Sequence, residues 1–151
     1  MSRVRAPSPK YSTNGCPGEV YFVAARELGV IKIGTANNTA SRLRQLATAC
    51  PDRIDLLGII FSTEARDLEQ RLHRMFCRHR SHGEWFIRHS EIEAYLNQHR
   101  LPQSDPRVVA CEAAIAAIEL RAEPWREFQA RAQEAARANQ TRTEVGRPPI
   151  F

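Results

Sequence analysis

The chain has 151 residues, 42% hydrophobic and 26% charged, which suits one globular domain and excludes a fibre or a multidomain machine. No apolar run approaches the roughly twenty residues of a membrane span, and residues 1–18 lack the apolar core of a secretory signal. The net charge of +5 is uneven: residues 1–18 carry three bases and no acids, residues 66–104 seven bases and five acids, and the remainder is balanced. That pattern permits nucleic-acid binding without requiring it. The four cysteines are scattered, with no C-x-x-C pair, and read as free thiols in a reducing, cytoplasmic setting, nucleoid-associated in a bacterium. Twenty bases are arginine and two, Lys10 and Lys32, are lysine, so a lysine inside the fold needs its own explanation.

Residues 1–18 are polar and read as a disordered basic arm. Order begins at Glu19. Val20-Tyr21-Phe22-Val23-Ala24 and Val30-Ile31-Lys32-Ile33 are β-forming runs separated by a short Gly-containing link, the pattern of a hairpin. A turn centred between Arg26 and Glu27 sets Tyr21 opposite Lys32 and Phe22 opposite Ile31. Tyr21, Val23, Val30 and Lys32 then share one face. Phe22, Ala24, Ile31 and Ile33 form the other, wholly apolar and therefore core. An asparagine of Asn37-Asn38 caps a helix to about Ala47, with Leu43 and Leu46 inward and Arg42 and Arg44 flanking them. Ile54 to Phe61 reads as a third strand. Ser62 or Thr63 caps a helix over roughly 64–79, whose apolar stripe is Leu68, Leu72, Met75 and Phe76. Residues 82–86 form a turn and a short extended piece. Ser90-Glu91-Ile92-Glu93 is a capping box opening a third helix to His99. Leu101 to Pro106 is the clearest break. Beyond it Asp105 and Pro106 start a helix to about Glu123. Pro124 kinks or restarts it, and a second amphipathic piece ends near residue 139. Residues 141–151 read as a disordered tail.

Five features in the first two thirds of the chain line up. Tyr21 lies on the first strand. Lys32-Ile33-Gly34 follows eleven residues later. Arg42-Leu43-Arg44-Gln45-Leu46 opens the first helix. Leu68-Glu69-Gln70-Arg71-Leu72-His73 lies on the second, and Gly83-Glu84-Trp85-Phe86 closes the set. This layout resembles the GIY-YIG nuclease family, closest to its phage-type and meiotically up-regulated branch with a K-I-G second motif and a G-E-W-F closing motif. The resemblance covers about residues 19–97. The family's first motif normally reads G-I-Y and its second Y-I-G. Here they read Glu19-Val20-Tyr21 and Lys32-Ile33-Gly34, so Tyr21 takes the first tyrosine's place and Lys32 the second's. Elements and resemblance together imply an α+β fold, with a small three-stranded antiparallel sheet flanked by helices over residues 19–100. A linker at 101–106 and a helical extension at 107–140 complete it.

Phosphodiester hydrolysis needs an activated water, neutralisation of the phosphate and a cation for the developing charge. Glu69 is a hard oxygen ligand suited to Mg²⁺ or Mn²⁺. Arg42 can fork a phosphate. Tyr21 could activate the water if a neighbouring positive charge favours its ionised form, and a neutral Lys32 is the rival base. Tyr21 is equally readable as an edge-of-core residue with a wet hydroxyl, and Lys32 as a solvated strand residue. His73 could contact the phosphate or orient the water, or be a partly buried helix residue. Glu84 is either a second ligand or an ordinary turn residue, and Trp85 and Phe86 read as core.

Arg44, Arg74, Arg78 and Arg80 could face a nucleic-acid backbone or solvent. His73, Cys77, His79 and His82 have a spacing that fits no common structural zinc pattern. The reading is a metal-dependent DNA endonuclease. Its alternatives are a DNA-binding module without turnover and an interaction protein acting through its C-terminal helices. Those helices carry no catalytic signal. They pack on the domain, form a homodimer contact or guide DNA.

Overall fold

The β-forming runs flanking residues 26–29 pair as expected, and they seed a larger sheet than three strands. The computed structural model describes residues 16–145, with side chains to residue 140. The expected disordered arm, up to residue 15, and residues 146–151 of the expected tail lie outside the described residues. In chain order the elements are β1 (Gly18–Ala25), β2 (Val30–Ala36), α1 (Thr39–Ala49), β3 (Ile54–Ser62) and α2 (Ala65–Met75). A 3₁₀ turn (Cys77–His79), β4 (Arg80–His82), β5 (Trp85–Ile87), α3 (Ser90–His99) and α4 (Pro106–Val145) follow. The α+β class holds, but the antiparallel sheet has five strands in the order β3-β1-β2-β5-β4. The two extra strands are three residues each, too short for alternation to mark them in sequence.

The hairpin register differs from the expected one. Ala25 pairs with Val30, so Tyr21 lies opposite Gly34 and Lys32 opposite Val23. Four residues, 26–29, make the turn. Gly29 takes φ +64°, open to glycine without strain. The Asp52 carboxylate accepts from the backbone N–H groups of Glu27 and Leu28 at 2.7 and 3.0 Å, docking the wider turn onto the loop before β3. A two-residue shift keeps every side chain on its face, so the face assignments stand.

Both faces are core. Val20, Phe22, Ala24, Ile31 and Ile33 pack under Leu68 and Leu72 of α2, Phe76 just beyond it, and Ile92 and Leu96 of α3. Tyr21 and Val23 pack under Leu43 and Ala47 of α1 and Val108, Cys111 and Ile115 of α4. The helical extension is thus partly a wall of the domain, and its first turns, as far as Ile118, close the second face.

Local signals hold unevenly. Asn38 caps α1, its side-chain oxygen accepting from the Ser41 N–H at 3.0 Å. Helix α2 stops at Met75, whose side chain is exposed rather than part of the inner stripe, because the chain leaves helical geometry at the buried Phe76. Neither Ser62 nor Thr63 caps α2. Glu64 stands at that position, and the Ser62 hydroxyl, two residues earlier, accepts from its N–H. The capping box at Ser90 does not form either, since His89 occupies the cap and its Nδ1 accepts from the Glu91 N–H at 3.1 Å. Helix α4 runs through Pro124 without a break and continues to Val145, over part of the expected tail.

Candidate active site

Helices α1 and α2 lie on opposite faces of the sheet, so their side chains can meet only past an edge. Strand β2 provides one. Its residues Val30 to Lys32 pair with β5, and the Ile33 N–H still donates to the Glu84 carbonyl at 3.2 Å. Residues Gly34 to Ala36 have no partner strand on that side among the described residues. There a cleft of about 510 Å³ opens, lined by Tyr21, Thr35, Arg42, Arg66, Glu69, Gln70, His73 and Glu84.

Tyr21 reaches the cleft across Gly34. The tyrosine is almost fully buried, and a Cβ placed on Gly34 would lie 2.5 Å from its hydroxyl and 2.7 Å from Cζ. The ring therefore occupies the space where any other residue's side chain would begin. This close approach explains the glycine of Lys32-Ile33-Gly34.

From the other face, α2 presents Glu69 and His73 one turn apart. Thr35 donates its hydroxyl to Glu69 Oε2 at 2.8 Å. Glu69 Oε1 lies 3.8 Å from His73 Nε2. That nitrogen is 2.9 Å from the Ile33 carbonyl oxygen, which can only accept, so Nε2 carries the proton. The His73 ring also leans on Phe86, with ring centroids 5.3 Å apart. Arg42 projects from α1 at the rim, its guanidinium 3.3 Å from Gln45 Oε1.

Lys32 is not solvated and does not face the Tyr21 hydroxyl across the strands. It is 7% exposed. Its Nζ donates to Glu84 Oε2 at 2.5 Å and sits 5.6 Å from the Trp85 ring centroid. The Lys32 hydrogen bond holds the Glu84 carboxyl below its ordinary range, against desolvation and with help from the charges of Lys32, His73 and Arg42. Burial with a dedicated carboxylate partner is the explanation this lysine needed.

The structure therefore gathers Tyr21, Arg42, Glu69, His73 and Glu84, and places Lys32 just behind Glu84. It does not bring Arg44, Arg74, Arg78 or Arg80 into the cleft. Arg78 lies 3.6 Å from Glu91, and the Arg80 guanidinium sits over Phe86, 5.5 Å from the ring centroid. Sequence reasoning missed Thr35, Arg66 and Gln70. Arg66 and Gln70 lie three residues before and one after Glu69, and helical spacing from Glu69 could have found Arg66.

The residues fit a hard divalent cation: Glu69 is a carboxylate oriented by a hydroxyl, opening on a polar cleft with room for water. His73, Cys77, His79 and His82, whose spacing fits no common zinc pattern, do not assemble as a quartet among the described residues. Among the described residues the one grouping of metal-ligating types is His79, His89 and Glu91, with ligand atoms within 4.8 Å of one another. Those groups already serve the start of α3. His89 caps it, its ring stacks on His79 at 4.0 Å, and Glu91 receives His79 at 3.1 Å beside Arg78.

Fold and cleft define an α+β domain with a carboxylate, a tyrosine hydroxyl and a guanidinium gathered at a sheet edge. Residues 18–103 match the family model of the T5orf172 domain, more than half of the chain, and the chain belongs to that family. The match corrects the resemblance to GIY-YIG nucleases, which is a different family. The shared pieces are short, and Glu19 and Lys32 depart from the motifs that define the other family. No curated protein and no solved structure matches the chain. No helix among the described residues is long and apolar enough to cross a membrane.

Proposed function

We propose that the protein is a metal-dependent endonuclease that hydrolyses DNA phosphodiester bonds at the β2 edge. The observation that supports this reading is the convergence of Tyr21, Arg42, Glu69 and His73, from three elements and both faces of the sheet, on one polar cleft. Arg42 takes the scissile phosphate through its planar fork and stabilises the charge that develops there. The Tyr21 side chain, fixed against Gly34, orients the attacking water and, in its phenolate form, takes a proton from it to become the phenol. Lys32 is committed as the cation of an ion pair with Glu84, so the choice of base falls on Tyr21. His73 ties α2 to β2 by donating from Nε2 to the Ile33 carbonyl. Glu69 would hold Mg²⁺ or Mn²⁺, which supplies neutralisation of the phosphate.

Purified protein incubated with supercoiled plasmid and Mg²⁺ or Mn²⁺ tests this. Nicking that disappears with EDTA, with Glu69→Ala and with Tyr21→Phe supports the proposal. Plasmid that is retarded in a gel at low salt and never cut would favour a binding module without turnover.

A further inference from the structure

Glu69 is a flexible side chain asked to present a carboxylate at one defined place. It is 14% exposed and stands at the wall of the cleft. A glutamate has three rotatable bonds, and holding it in one arrangement costs free energy unless partners fix it. One partner is unambiguous. The Thr35 hydroxyl, on the unpaired stretch of β2, donates to Oε2 at 2.8 Å. The other oxygen faces His73 at 3.8 Å, beyond hydrogen-bond range, because the His73 proton goes to the Ile33 carbonyl. Oε2 thus has a tight protein donor, and Oε1 has none that close.

The Thr35 bond also crosses between elements. Thr35 adjoins Gly34, against which the Tyr21 ring rests. The same strand that sets the tyrosine hydroxyl therefore sets the carboxylate. A change in the distance between β2 and α2 would move Glu69 and Tyr21 relative to each other unless this bond held.

We infer that Thr35 is the positioning residue of the metal-binding carboxylate: by engaging Oε2 it turns Oε1 toward the cleft and raises the affinity of the site for a hard divalent cation. This rests on the reading of Glu69 as the metal ligand. Groups that orient a ligating side chain through a hydrogen bond act on metal affinity even though they never touch the ion. Threonine suits the task here because its β-branched stem fits a strand while its hydroxyl supplies the donor.

The test separates the hydroxyl from the shape. Thr35→Val keeps the branched stem and removes the donor, whereas Thr35→Ser keeps the donor and removes the methyl group. Mn²⁺ binding to the full chain without DNA, followed by the paramagnetic resonance signal of free Mn²⁺, gives a readout independent of cutting. Thr35→Val should weaken Mn²⁺ binding about ten-fold or more, and Thr35→Ser should stay within about three-fold of the parent. Parental Mn²⁺ affinity in Thr35→Val would overturn the inference, and so would an equal loss in both variants, which points to packing. If the parent and Glu69→Gln bind Mn²⁺ equally weakly, the metal-ligand reading of Glu69 fails and this inference fails with it. Binding by the parent that Glu69→Gln abolishes and Thr35→Val leaves intact sinks the role of Thr35 alone.

Discussion

The two faces of the sheet are both buried, but by different means. Over Phe22, Ile31 and Ile33 the cover is α2 and α3, within the residues that match the family. Over Tyr21 and Val23 it is α1 together with the first turns of α4, and α4 lies beyond residue 103. The first face supplies Glu69 and His73 to the cleft, the second Tyr21 and Arg42. The site is therefore assembled from a self-contained half and from a half that borrows its cover. The difference continues inside α4, where Val108, Cys111 and Ile115 are buried while Leu120, Trp125 and Phe128 are exposed.

The most severe way to break this comparison is to remove residues 106–151. That strips Val108, Cys111 and Ile115 from the Tyr21 face, and the shortened chain should lose its cooperative thermal transition by circular dichroism. A parental melt from the shortened chain would show that α1 alone covers that face. Within α4, Ile115→Ala should cost about 3 kcal/mol through a cavity in the core, whereas Trp125→Ala should stay within about 0.5 kcal/mol. Denaturant titration of both variants measures the contrast.

At the join between the faces, Gly34→Ala should cost about 2 kcal/mol by driving a Cβ into the Tyr21 ring. It should also reduce cutting, because Tyr21 must move. Apart from the Trp125→Ala control, the smallest expected effect concerns Lys32→Met, which leaves the half-exposed Glu84 without its partner and should cost about 1 kcal/mol at neutral pH. Glu84 has its folded-state pKa lowered from 4.5. The stability this contributes is therefore full above that value and lost as pH falls through the folded pKa. Lys32→Met should flatten this part of the acid-side loss in a pH series of denaturant melts. An unchanged acid profile would mean that Lys32 does not hold Glu84 in solution. Asp55, lowered from 3.8 chiefly by its hydrogen bond to Arg26, stays in both proteins and contributes equally.

Much of this was readable from residue order. The alternation in 20–24 and 30–33 located β1, β2 and their faces, and helical spacing placed Glu69 beside His73. The register was not readable, because the width of the turn depends on Asp52, some 25 residues away in sequence from Glu27. The burial of Tyr21 was underestimated because its cover comes from α4, whose apolar positions do not declare what they pack against. Strand β4 was hidden by its length, and β5 was read only as a short extended piece, not as part of the sheet. The family was misread because short motifs constrain a site more than a lineage. Thr35 escaped because its place at the cleft depends on where β5 stops pairing with β2, whereas Arg66 was within reach of helical spacing from Glu69.

The central claim is that one cleft, fed from both faces, cuts DNA. The most direct measurement is the plasmid nicking rate with Mn²⁺ for Glu69→Gln and Arg42→Ala, one residue from each face, with circular dichroism confirming that both variants fold. The account predicts that each loses about a hundred-fold or more of the parental rate. Parental cutting by either folded variant would contradict it.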